Sequence, residues 1–97
     1  MIVNKSEEKY LIEELLGSKA RIKILKVLAV HKELTISLII KKTKLNYNNV
    51  LKHLTYLKAV NLIDEKKFGR IKIFRYKIEN IKAKSLKKLI EIWEGNF

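Results

Sequence analysis

Ninety-seven residues suffice for one domain with one core and are too few for two. At 47% hydrophobic and 33% charged the chain is not a disordered polar segment, and the lack of Cys excludes disulfides, thiolate metal sites and a cysteine nucleophile. Lys and Arg outnumber Asp and Glu by 22 to 10, a formal net charge of +12, so a polyanion such as DNA, RNA or anionic lipid is the expected partner.

The sequence has no Pro and three Gly, at 17, 69 and 95, and each Gly is expected at a boundary. Ser6, followed by Glu7 and Glu8, opens a predicted helix over about 6–16 with Tyr10, Leu11, Ile12, Leu15 and Leu16 on its apolar face. Ser18 caps a second, KARIKILKVLAV, whose Ile22, Leu25, Leu28 and Ala29 follow helical spacing, widened by Ile24 and Val27. Leu34-Thr35-Ile36 reads either as a short strand or as the start of a third helix capped by Thr35, with Leu38, Ile39 and Leu45 on its buried side. Asn46 caps a fourth helix, about 47–60, with Val50, Leu54 and Leu57 as its core stripe and Asn48, Lys52, Thr55 and Tyr56 opposite. Two strand-like runs, LIDEKK and IKIFRYKI, flank Phe68-Gly69-Arg70, and Phe74, Tyr76 and Ile78 fall on one face of the second. A last helix, about 81–94, carries Leu86, Leu89, Ile90 and Trp93 on one side.

This order predicts a single domain over 1–97. It is mainly α with a small β-hairpin: a winged helix-turn-helix, with the helix-turn-helix at about 35–60 and the wing at about 62–78. An apolar helix at each end predicts a homodimer interface built from Tyr10, Leu11, Leu15, Leu86, Leu89, Ile90 and Trp93. No run of ~18 apolar residues occurs, so no membrane span is expected. MIVNKSEEKY lacks the apolar core of a signal peptide, and a cytoplasmic, nucleoid-associated location is expected.

LLGSKARIKILKVL resembles the entry segment of ArsR-type winged-helix regulators, with Leu16, Arg21, Ile24, Leu25 and Leu28 in the places of a Leu-x-x-x-x-Arg-x-x-Ile-Leu-x-x-Leu pattern. LNYNNVLKHLTYLKAVNLI is similar to that family's recognition segment through Val50, His53, Leu54, Leu57 and Leu62. The resemblance covers roughly residues 14–78 and implies a DNA-binding transcriptional regulator of the kind common among small archaeal and archaeal-virus proteins. One departure matters. Metal-sensing members carry Cys-x-Cys at the start of the first helix of the helix-turn-helix, where this chain has Thr35-Ile36-Ser37. With only His31 and His53 besides, no metal and no cofactor are expected, and His53 is expected to pack.

Double-stranded DNA binding needs cations that displace counterions at phosphates, and short polar side chains at the start of a helix seated in the major groove. Tyr47, Asn48, Asn49, Lys52 and Tyr56 are the candidates on the recognition helix, and Asn48 is the best placed to pair bidentately with adenine. Lys66, Lys67, Arg70 and Lys72 form a basic wing around Gly69, and Lys41, Lys42 and Lys44 end the preceding helix, where they suit either phosphate or the helix dipole. Residues 17–60 hold ten basic residues against one acidic, Glu33. The expected function is sequence-specific transcriptional regulation. Non-specific architectural binding to chromatin and a protein-interaction winged helix are the competing readings. No Gly-rich phosphate loop or catalytic grouping points to an enzyme.

Overall fold

Four helices begin where a short polar side chain accepts the N–H groups that a first turn leaves free. Ser18 accepts from Arg21 N at 3.2 Å, Thr35 from Leu38 N at 3.3 Å, Asn46 from Asn49 N at 2.8 Å, and Asn80 from Lys82 N and Ala83 N at 2.8 and 3.3 Å. The resulting helices are α2 (Lys19–His31), α3 (Ile36–Thr43), α4 (Tyr47–Ala59) and α5 (Ile81–Glu94). A computed structural model describes residues 5–95, so residues 1–4, 96 and 97 of the expected single domain and the side chain of the expected Ser6 cap lie outside it.

The predicted helix over 6–16 is two pieces, a 3-10 helix Lys5–Tyr10 and a short α1 (Ile12–Leu16). The break falls at Leu11, in extended backbone with ψ 139°. It leaves the Lys9 carbonyl free to accept from the Tyr56 hydroxyl at 2.7 Å, which ties the opening turn to α4. A Cβ on Gly17 would collide with the Glu13 carbonyl oxygen, so glycine is needed where the chain turns from α1 into α2.

Both readings of Leu34-Thr35-Ile36 hold at once. Glu33–Thr35 is a strand, β1, and Thr35 also caps α3. With β2 (Ile63–Phe68) and β3 (Ile71–Tyr76) it forms an antiparallel sheet ordered β1-β3-β2. Leu34 and Glu65 both oppose Phe74, and Ile63 opposes Tyr76. The inner face of the sheet therefore presents Leu34, Ile63, Phe74 and Tyr76 to Ile24, Leu25 and Leu28 of α2, Ile39 of α3 and Val50, Leu54 and Leu57 of α4, and these make one core.

Two packing expectations change. Leu38 is exposed, because the face of α3 that meets the core runs Ile36, Ile39, Ile40 and Thr43. Thr43 is tolerated inside because its hydroxyl donates to the Ile39 carbonyl at 2.7 Å and accepts from Leu45 N at 3.4 Å. Ile78 is also exposed, because β3 ends at Tyr76 and the alternation of faces ends with it. There Tyr76 N donates to the Lys32 carbonyl and Lys77 N to the Leu62 carbonyl, and the chain turns toward α5. Inside, the Tyr76 hydroxyl donates to the Ala83 carbonyl at 2.6 Å, fixing α5 to the sheet, and burial pushes that phenol up to about 12.

Candidate nucleic-acid interface

The turn between α3 and α4 sets how α4 is presented. Thr43 staples it from inside, and Lys44 takes a left-handed conformation (φ 60°, ψ 26°), its N–H donating to the Ile40 carbonyl. Asn46 then spends its side-chain oxygen on Asn49 N, so it is a cap. The next positions, Tyr47, Asn48, Asn49 and Lys52, are all exposed, and their side chains make no hydrogen bond among the described residues. Val50, His53, Leu54 and Leu57 hold the opposite side of α4 in the core. The helix thus offers a polar first turn with its backbone donors only partly used.

Tyr56 does not join that surface. It is half-buried, its hydroxyl donates to the Lys9 carbonyl, and the Arg21 guanidinium lies 3.7 Å from its ring centroid. Arg21 is a structural residue here. Besides stacking on Tyr56, it donates to the Glu14 carbonyl at the end of α1 and through Nε to His53 Nδ1 at 3.3 Å. His53 is packed, as expected. Burial, reinforced by the charges of Arg21 and then Lys52, lowers its pKa and keeps the imidazole neutral with Nδ1 as acceptor.

The wing is a hairpin with a two-residue turn, Gly69-Arg70, and glycine takes the positive φ of 60° at its first position. That register places Lys67 directly opposite Lys72. Both are exposed, and like charges on one rung repel unless an anion lies between or beside them. Arg70 is exposed at the turn, while Lys66 reaches back to Glu33 of β1 at 3.0 Å. Arg75 is withdrawn from the basic surface. It bridges Asp64 of β2 at 2.7 Å and Glu79 at 2.6 Å. Arg70, Ile71 and Lys72 share a shallow recess with Thr35, Ile36 and Ser37, so the wing lies beside the start of α3. Lys41, Lys42 and Lys44 are exposed at the end of α3.

The terminal elements carry a second surface. Of its expected residues, Tyr10, Leu89 and Trp93 are exposed, with Trp93 the most open at 84%, and Leu11, Leu86 and Ile90 are half-buried. Leu15 is buried in the chain's own core and leaves that surface. Ile12, Leu16, Ile81 and Ile92 are exposed and belong with it. On α5, Ala83, Leu86 and Ile90 face inward, so Ile81, Leu89 and Ile92 follow the outer face at helical spacing. A hollow of about 310 Å³ lies between this terminal segment and the end of α4, lined by Tyr10, Leu11, Leu15, Val60, Leu62 and Leu86 among others.

No group of three or more metal-ligating side chains occurs among the described residues, and none of the helices described is long and apolar enough to cross a membrane. No family model matches the sequence, and no curated protein matches it either. Solved structures do. HlyU from Vibrio cholerae superposes with a TM-score of 0.74 at 17% identity over 94% of this chain and 97% of that one. The transcriptional repressor PagR of Bacillus anthracis gives a TM-score of 0.67 at 27% identity over 88% and 95%. An ArsR family transcriptional regulator gives 0.63 at 21% identity over 99% and 100%. The chain therefore has the winged-helix fold of ArsR-type transcriptional regulators, over nearly its whole length.

Proposed function

We propose that this ArsR-type winged helix binds double-stranded DNA as a homodimer and regulates transcription through sequence preference. One observation carries the reading: α4 presents Tyr47, Asn48, Asn49 and Lys52 exposed, and unbonded among the described residues, beside its Asn46 cap. Exposed polar residues on the first turns of a helix-turn-helix's second helix are what major-groove reading requires. The exposed Lys67–Lys72 rung, Arg70 and the lysines ending α3 supply cations for the flanking phosphates. Lys66 is a weaker contributor while it is paired with Glu33. The protein acts on DNA inside the cell, without enzymatic chemistry and without a metal.

The homodimer reading rests on the exposed terminal residues. Ile81, Leu89, Ile92 and Trp93 form an apolar face on α5 that the described residues leave exposed. The adjacent hollow gives a second copy a place to seat a large apolar side chain. Two recognition helices would then meet half-sites about one helical turn apart.

Selection from a random duplex library, followed by competition against random DNA, tests the function. A specific regulator gives a ratio on the order of 10³ or more. A ratio near one would make it an architectural DNA-coating protein, a reading supported by the lysine surplus alone. No binding at low salt would leave only a protein-interaction role.

A further inference from the structure

Two large apolar side chains stand in solvent at the far end of the wing. Phe68 and Ile71 are 63% and 55% exposed and face each other across the last rung of the hairpin, on either side of Gly69-Arg70. An aromatic–aliphatic pair helps to close a hairpin end, yet closing it does not require this much apolar surface to remain in water. The surroundings say what would cover it. Lys67 and Lys72 oppose each other one rung inward on the other face of the hairpin, Lys66 lies on the face of Phe68 and bridges to Glu33, Arg70 occupies the turn, and residues 66–72 contain no acidic residue. An apolar tip set among cations fits a surface that is anionic at its walls and apolar within. The minor groove of a duplex is such a surface, with phosphates on both sides and stacked bases at its floor.

We propose that the wing tip is a minor-groove wedge: Phe68, backed by Ile71, inserts between two base pairs beside the half-site and kinks the duplex toward the major groove. The proposal rests on the DNA-binding reading above. In this arrangement Arg70 and the Lys67–Lys72 rung hold the groove walls, and their contacts offset the unstacking that the aromatic ring imposes. Unstacking is easiest at TA and CA/TG steps. The wing then selects such a step without a hydrogen bond to any base, and selected binding sites carry one at a fixed distance from the bases read by α4.

The experiment uses a selected duplex labelled at both ends for energy transfer, with 2-aminopurine at the step under the wing, at protein concentrations that saturate the DNA. The wild-type complex bends by about 20° or more, and 2-aminopurine fluorescence rises as the base unstacks. F68S loses most of the bend and the rise, as does F68S combined with I71S. F68L, which keeps an apolar wedge, retains both, and this outcome separates a wedge from a damaged hairpin. R70A keeps the bend at saturation but needs more protein to reach it. A straight wild-type complex, or an undiminished bend with F68S, overturns the wedge and leaves DNA binding standing. Loss of oligomers with F68S and an unchanged bend reassigns the tip to a protein contact and overturns it as well. Failure of the wild type to bind any duplex at low salt overturns both readings.

Discussion

Asn48 stands two residues beyond the Asn46 cap, where truncation would remove the proposed base contact without uncapping the helix. N48A is therefore expected to fold normally and to lose about 1–3 kcal/mol of discrimination at one base position. Binding measured across single-base variants of a selected site checks this, and an equal loss on every sequence would refute base reading by Asn48. Lys44 allows a different separation. Its left-handed backbone costs a residue with a Cβ about 1–2 kcal/mol, and glycine is free of that cost although it loses more chain entropy on folding. K44G should leave thermal stability unchanged or raise it by up to about 1 kcal/mol, while weakening DNA binding and reducing its salt slope by about one. A stability change with no change in salt slope would make Lys44 a turn residue only. The Asn46 cap was legible in the sequence because capping is a local property of a helix start. The fates of Tyr56 and Arg75 were not. Each is decided by partners distant in sequence, the Lys9 carbonyl and Arg21 for Tyr56, and Asp64 across the hairpin for Arg75.

The hairpin and α5 are joined by a charged clasp at the level of elements. Arg75 holds Asp64 on β2 and Glu79 in the turn before α5. The hydrogen bond from Arg75 is the largest reason the Glu79 carboxyl is drawn from its ordinary 4.5 down to about 2. A carboxyl depressed by folding stabilises the fold above its unfolded value, and that contribution disappears as pH falls from about 4.5 through about 2. Wild type should therefore lose thermal stability more steeply than E79Q over that interval, and parallel slopes would mean the clasp is not formed in solution. Helices α2, α4 and α5 were legible because each has an apolar stripe of sufficient length, and the hairpin because Gly69 sits between two β-prone runs. The break at Leu11 and the outward side of Leu38 were not legible. Ile36 and Leu38 are equally apolar, and only the position of the core decides which one faces it.

At the scale of the whole molecule, the exposed cations of α3, α4 and the wing and the exposed apolar residues of α5 lie on different elements. Truncating α5 would be a poor test of the dimer, because Ala83 is buried and its carbonyl receives the Tyr76 hydroxyl. Charge on the exposed face is cleaner. L89E combined with W93E changes side chains that are 50% and 84% exposed, so each protomer should fold as before and sediment as a monomer. Affinity for a two-half-site duplex should fall by on the order of 10²-fold or more as the second recognition helix is lost. A variant that remains dimeric would place the seam elsewhere. This surface was half legible: helical spacing named Leu89 and Trp93, but which residues of α5 remain outside depends on its docking angle, and Ile81 and Ile92 emerged only from the packing.

The stack of Arg21 on Tyr56, with Tyr56 fixed to the Lys9 carbonyl, gives the recognition helix an anchor in the segment that opens the chain. That tie adds to the core packing of Val50, Leu54 and Leu57, so the opening segment and the body of the fold hold the same helix. If a second copy settles against Tyr10 and Ile12, it bears on α4 at Tyr56, nine residues along the helix from Tyr47. Association of two chains and engagement of DNA then share one free energy of coupling, so each strengthens the other by the same factor.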